Sequence, residues 1–239
     1  MVRRMDVNQL ALVRGMADTR IALDRWNHNP GPVLRGWIMG SVAISVGLLA
    51  AVWLVASKAR PDATALIVHN VNAGGDMHDA LDLFGRNLLV LALHSMACVA
   101  GFIAGSSLPQ IAESRSGLSR WAHDKAGPLA IGFVVCATGF SLITQAYALG
   151  SGASTIAWHF ETTPGLLLLC LLPHALPELT ALFLPLAAWI IASRAGRWDE
   201  LLAATFVTTA LALPTLLAAC VVEIFVSPIL IHAVIAPPV

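Results

Sequence analysis

The chain has 239 residues, of which 57% are hydrophobic and 12% are charged, and its 14 basic residues balance its 14 acidic ones. Soluble domains average about 45–50% apolar and about 25% charged residues, so an ordinary soluble domain and a disordered chain are both excluded. The neutral balance also argues against a nucleic-acid partner, which a basic surface would indicate. A mean hydropathy of +0.77 points instead to the lipid bilayer.

Five apolar segments follow one another along the chain, at residues 37–57, 87–107, 128–149, 166–193 and 201–235. A membrane-spanning helix takes about 20 residues, and each segment is about that long or longer. We therefore predict an all-α, polytopic bundle of about five transmembrane helices. Residues 1–35 form a cytoplasmic leader, and residues 36–239 form a single transmembrane helical domain.

The positions of Lys and Arg predict the orientation of these spans. Eleven of the 14 lie in the leader and in the second and fourth loops, and three lie in the first loop or at its edge. Cytoplasmic loops carry the excess of basic residues. We therefore expect the N-terminus inside and the C-terminus outside.

The leader carries apolar residues along one face between about residues 8 and 25, including Leu10, Val13 and Ile21. This pattern predicts an amphipathic helix on the inner membrane surface, ended by Pro30 and Pro32. A partly ordered, solvated leader is the alternative.

The first outer loop contains Asp76, His78 and Asp79 just before an apolar run. These residues favour a helix N-cap and an acidic first turn. A metal site built from the same three residues is the alternative, although their spacing is not that of a typical ligand set.

The fourth segment carries His174 and Glu178, which share one face of a helix because they are four residues apart. Pro173 and Pro177 bracket His174, and prolines remove backbone donors, so we expect this helix to be broken. An ionisable pair in a membrane segment indicates function. A structural latch, in which the two side chains bond to each other or to freed carbonyls, is the alternative.

Other polar residues are predicted to lie at the same depth, in the outer half of the membrane. They are His94 in the second segment, Gln145 in the third and Glu223 in the fifth. Together with His174 and Glu178 they form a candidate gate or latch. His94, His174, Glu178 and Glu223 are adequate zinc ligands, but no His-Glu-x-x-His motif is present. We therefore predict no catalytic residue and no cofactor, and keep zinc and a metal-dependent intramembrane hydrolase as alternatives.

Small residues recur every fourth position in the second segment, at Ala97, Gly101 and Gly105. Such faces allow close helix packing. Packing within one chain is the default, and a homodimer through this face is the alternative.

Several of these residues occur in a pattern that resembles the stage II sporulation protein M family. The fourth segment runs into Pro173-His174 with Glu178 four residues later, and the last segment reads Glu223-Ile-Phe-Val-Ser-Pro228. Asn87 at the head of the second helix and the following Gly101 and Gly105 match a further landmark. The chain departs from the family at Ala175, where Gly is usual, and at 183–185, where Phe-Leu-Pro replaces a small-residue patch.

The resemblance implies a multi-pass protein of the bacterial cytoplasmic membrane without catalytic activity, with Asn87, Pro173, His174, Glu178 and Glu223 as motif positions. It implies membrane or envelope protein partners, either cell-wall hydrolases or an ABC-type ATPase of an export system. We expect a scaffold or a membrane subunit of such a complex. A transporter with an intramembrane His/Glu site, proton-coupled or working with the ATPase, is the alternative.

Overall fold

In the computed structural model the described residues, 11–62, 75–107 and 117–235, form seven α-helices and no strand. The helices are α1 Ala11–His28, α2 Gly31–Ala56, α3 Met77–Phe102, α4 Gly117–His159, α5 Pro164–Arg194, α6 Leu201–Phe225 and α7 Ser227–Val234. A π-helical turn, Ile103–Ser107, continues α3, and a 3-10 turn, Trp198–Glu200, precedes α6. The predicted all-α fold is confirmed.

Five of these helices, α2 to α6, are long and apolar enough to cross a membrane. The candidate spans in them are 26 to 31 residues long, and their apolar windows have mean hydropathies from 1.5 to 2.3. The chain is therefore a multi-pass membrane protein, as its composition predicts.

The helix α3 begins at Met77, ten residues before the apolar run that predicts it, because Asp76 caps it. Asp76 Oδ1 accepts hydrogen bonds from the backbone N–H groups of His78 at 2.7 Å and Asp79 at 3.0 Å. In return, Asp79 Oδ2 accepts one from the Asp76 N–H at 2.9 Å. The prediction of an N-cap is confirmed, and Asn87 lies three turns inside the helix rather than at its head.

The expected break in the fourth span is not present, since α5 is continuous from Pro164 to Arg194. Prolines free carbonyl groups of the preceding turn, and neighbouring helices can supply donors to such a stretch of backbone. The Ser41 hydroxyl of α2 donates to the Thr180 carbonyl. The Cys98 thiol of α3 donates to the Pro185 carbonyl at 3.2 Å. Neither carbonyl is one that Pro173 or Pro177 frees, so these bonds attach α5 to α2 and α3. The continuity of α5 itself corrects the prediction of a broken helix.

The interruption lies in the fifth apolar segment instead, which forms two helices rather than one. α6 ends at Phe225, and α7 begins at Ser227 with Pro228 in its first turn. Proline is tolerated in the first turn of a helix, where its missing N–H has no partner to lose. The Ser227 hydroxyl donates to the Val222 carbonyl at 3.3 Å, which supplies a donor at the end of α6.

The chain divides into two compact units, and the divisions fall inside the long helices. The first unit comprises Met1–Gly40, Leu91–Ala137 and Leu184–Ala210, and the second comprises Ser41–Val90, Thr138–Phe183 and Leu211–Val239. Each span from α2 to α6 thus contributes one part to each unit.

The core of the first unit joins α1 to the spans. Trp26 of α1 and Trp37 of α2 make an edge-to-face contact with ring centroids 5.1 Å apart. They are buried with Ala188 of α5 and with Ala203 and Ala204 of α6. Residues 11–28 of the leader are therefore helical, and the face that carries Ala22 and Trp26 packs against protein, while Ile21 of the predicted apolar face is exposed.

A buried carboxylate, Glu200, fixes the end of α1 in the same unit. Its Oε1 accepts from Arg25 Nη1 at 2.6 Å, and its Oε2 pairs with Arg197 Nη1 at 3.1 Å. The Glu200 side chain is only 4% exposed. The turn that presents it contains Gly196, whose φ of +68° favours glycine.

The small-residue face of α3 packs within the chain. A Cβ atom at Gly101 would lie 2.6 Å from Trp189 Nε1, and one at Gly105 would lie 2.2 Å from Trp198 Cδ2. Ala97 on the same face is buried. Intrachain packing, the default expectation, is what the structure shows at both glycines, and a homodimer through this face would have to displace both indole rings.

Candidate functional site

The second unit brings together three of the residues that the sequence singles out, His174, Glu178 and Glu223. One ligand atom from each lies within 4.8 Å of the others. His174 and Glu178 are one turn apart on α5, so their predicted common face is confirmed, and Glu223 comes from α6. The contact of Glu223 on α6 with the two residues on α5 depends on how these helices pack and cannot be read from their spacing in the sequence.

His174 is held by the first residue of α7. Its Nδ1 lies 2.6 Å from Ser227 Oγ. The Ser227 Oγ also lies 3.3 Å from the Val222 carbonyl. When the hydroxyl donates to that carbonyl, the ring Nδ1–H donates to Oγ and the lone pair of His174 is on Nε2. With 7% of the residue exposed, the ring is buried in this orientation.

Glu178 is held by Asn87, a buried residue of α3. Asn87 Nδ2 donates to Glu178 Oε1 at 2.8 Å and also contacts Cys220 Sγ of α6 at 3.6 Å. A neutral amide can stabilise a carboxylate without adding charge, and the bond fixes the direction in which the second carboxylate oxygen points.

Glu223 completes the arrangement on the side of the imidazole nitrogen that carries the lone pair. Its Oε2 lies 3.9 Å from His174 Nε2, which is longer than a hydrogen bond. The Glu223 side chain is 34% exposed, against 9% for His174. Glu223 is therefore more exposed to solvent than His174.

We call these five residues the polar cluster, and they connect α3, α5, α6 and α7: Asn87, His174, Glu178, Glu223 and Ser227. The imidazole of His174 and the carboxylates of Glu178 and Glu223 lie close together. Apart from histidine, the only basic residue of α5, α6 and α7 is Arg194, 16 residues beyond Glu178. In apolar surroundings such a set needs a proton or a cation to balance it.

The other predicted site residues are Pro173, Gln145 and His94. Pro173 precedes His174 on α5 and is exposed. Gln145 Nε2 donates to Ser141 Oγ one turn earlier on α4, at 2.9 Å. His94 is buried on α3 in the first unit, and its convergence with the other residues stays a prediction.

Ser227 was not predicted as a site residue, although it belongs to the quoted Glu223–Pro228 motif. Its spacing of four from Glu223 would place both residues on one face of a continuous helix, but the helix is interrupted between them at Val226. Its role depends on the break, which the apolar pattern does not indicate.

No protein-family model matches the chain, and no curated protein or solved structure does so. The function is therefore inferred from the polar cluster and from the motif resemblance.

Proposed function

We propose that the chain is a non-enzymatic subunit or scaffold of a cell-envelope or export complex in the bacterial cytoplasmic membrane, and that the polar cluster is its conformational latch. The observation that carries this proposal is the Asn87–Glu178 hydrogen bond between α3 and α5. It joins a buried amide of α3 to a half-buried carboxyl of α5. Apolar side chains at these two positions would pack without needing a hydrogen-bond partner.

The latch acts through mutual satisfaction of its groups. Separating α3 from α5 would leave the Asn87 amide and the Glu178 carboxyl without each other in an apolar environment, which is unfavourable. The His174–Ser227 bond holds α7 to α5 in the same way. A partner protein that offers replacement contacts could therefore switch the cluster between a joined and a separated state.

The motif resemblance supports the same conclusion. Asn87, His174, Glu178 and Glu223 are the motif positions apart from Pro173, and all four belong to the polar cluster. They come from three helices and span 137 positions, from 87 to 223. Their agreement with the geometry favours a shared role in holding the spans together.

Affinity purification from native membranes, with mass spectrometry of retained proteins, tests the proposal. We expect the wild-type chain to retain a membrane or envelope partner, an ABC-type ATPase or a wall hydrolase. Glu178→Ala should reduce that retention while the protein remains monodisperse in detergent, because alanine offers no acceptor to the Asn87 amide. Glu161→Ala, at an exposed carboxylate in the α4–α5 turn, is the matched control and should retain the partner. Retention of no partner by the wild type would contradict the proposal.

A proton-coupled transporter is a second candidate, and the partial exposure of Glu223 beside His174 favours it. A carboxylate that is accessible and next to an imidazole is suited to proton transfer. Proton flux into liposomes containing only this chain, abolished by Glu223→Gln but not by Glu161→Gln, would promote this function over the scaffold.

A further inference from the structure

We propose that His174 Nε2 and the carboxylates of Glu178 and Glu223 bind one divalent transition-metal ion, with Zn²⁺ as the expected ion. The inference deepens the proposed function, because the ion would close the latch, but binding itself can be measured without any partner. It goes beyond a hydrogen-bonded latch in assigning the cluster a ligand.

The donor set selects the class of ion. One imidazole nitrogen and two carboxylate oxygens are among the ligands that Zn²⁺ accepts. The imidazole argues against Mg²⁺ and Ca²⁺, which prefer oxygen ligands, and the lack of a thiolate in the group of three argues against soft ions.

Two of the three ligands are held in orientation by partners outside the group. Ser227 fixes the His174 ring so that Nε2 faces Glu223, and Asn87 fixes Glu178. Metal-binding histidines typically donate their other ring N–H to a neighbouring acceptor, and metal-binding carboxylates are themselves hydrogen-bonded. The polar cluster reproduces this pattern on side chains from four different helices.

The spacing suits an ion better than direct contact. Ligands about 2.1 Å from a tetrahedral Zn²⁺ lie about 3.4 Å from one another. His174 Nε2 and Glu223 Oε2 are 3.9 Å apart, and all three ligand atoms lie within 4.8 Å of one another. A direct hydrogen bond would bring the pair to about 2.8 Å. Rotamer shifts of an ångström or less would close the set around an ion.

The charge of the site also favours a cation. Two ionised carboxylates and a neutral imidazole carry a charge of −2, which a divalent ion cancels. Arg194 is the only Lys or Arg on α5, α6 or α7, and Arg86 of α3, next to Asn87, is exposed, so no buried ammonium or guanidinium on these helices cancels the charge.

A bound ion would connect α5 to α6 directly, which the hydrogen bonds of His174 and Glu178 do not. Three protein ligands leave one position of a tetrahedral ion for water or for a side chain of a partner. Exposure of Glu223 provides the approach to it.

Zinc retention by the purified chain tests the inference, with a purification tag that contains no histidine. The protein is stripped with a chelator in detergent, given excess Zn²⁺, desalted and measured by mass spectrometry of the metal. We expect about one Zn²⁺ per chain. His174→Gln and Glu223→Gln should each lose it, and Ser227→Ala should weaken binding by about 10- to 100-fold.

Two matched controls identify the site. His78→Gln and Glu161→Gln remove an imidazole and a carboxylate that lie outside the cluster on exposed surface, and both should retain Zn²⁺ at the wild-type level. The inference is overturned if the wild type retains no Zn²⁺, or if the folded His174 and Glu223 variants retain as much as the wild type.

Co²⁺ binding to the wild-type chain covers the case in which a variant does not fold. We expect visible ligand-field absorption that stoichiometric Zn²⁺ abolishes, and no such absorption would overturn the inference. Partner retention measured on the chelator-stripped protein separates the two proposals. If the chain binds no Zn²⁺ and the stripped protein still retains its partner, the metal site alone is refuted. If the chain binds Zn²⁺ but retains no partner, the scaffold alone is refuted.

Discussion

Asn87 and Glu178, 91 positions apart, are joined by a 2.8 Å hydrogen bond from the Asn87 amide to the Glu178 carboxyl. The bond links α3 to α5 inside the second unit and orients Glu178 towards His174 and Glu223. It is the contact on which the proposed latch depends.

Glycine packing on α3 predicts which substitutions the first unit does not tolerate. Gly101→Ala and Gly105→Ala should each destabilise the protein by about 1–3 kcal/mol, because the new Cβ would overlap the indole of Trp189 or Trp198. Gly85→Ala, on the same helix with nothing within 4 Å of its Cβ, should instead be neutral or stabilising by up to about 1 kcal/mol. Unfolding in mixed detergent measures all three, and equal destabilisation by Gly85→Ala would contradict the packing account.

The buried carboxylate of Glu200 predicts a role in attaching α1. Glu200→Gln should lower the free energy of unfolding by about 1–3 kcal/mol and speed tryptic cleavage after Arg25, which loses its partner. Asp199→Asn, at the neighbouring exposed position, is the control and should change neither quantity. Unchanged cleavage in the Glu200 variant would show that other contacts hold the helix.

The capping interaction at Asp76 predicts a local effect on the first turns of α3. Asp76→Ala should destabilise the helix start by about 1 kcal/mol and increase amide hydrogen exchange at residues 77–80. Asp82→Ala removes only an exposed ion pair with His78 and should cost about 0.5 kcal/mol or less. Faster exchange in the Asp82 variant than in the Asp76 variant would contradict the capping assignment.

The number of spans could be predicted from the sequence because hydropathy over about 20 residues depends only on local composition. The ends of the helices were harder to predict from the sequence. The polar residues 77–86 precede the apolar run, yet they are helical since Asp76 caps them. Pro173 and Pro177 do not interrupt α5, whereas the helix of the last apolar segment is interrupted at Val226, before Pro228. Whether a proline interrupts a helix depends on the packing around it, which local sequence does not contain.

The site could be predicted only in part, because some of its features are local in sequence and others depend on how the helices pack. The spacing of four between His174 and Glu178 is a local property and gave their common face correctly. That Glu223 joins them, and that Asn87 binds Glu178, depends on how α3, α5 and α6 pack, and the motif resemblance was what singled out Asn87. Glu200 was not predicted as a structural residue, although the structure buries its side chain between Arg25 and Arg197.

A double-mutant cycle between Asn87 and Glu178 tests the latch most directly. Unfolding free energies in mixed detergent are measured for the wild type, Asn87→Ala, Glu178→Ala and the double variant. A hydrogen bond to a carboxyl group in apolar surroundings predicts a coupling energy of about 1–3 kcal/mol. Effects of the two substitutions that add within about 0.3 kcal/mol would contradict the latch.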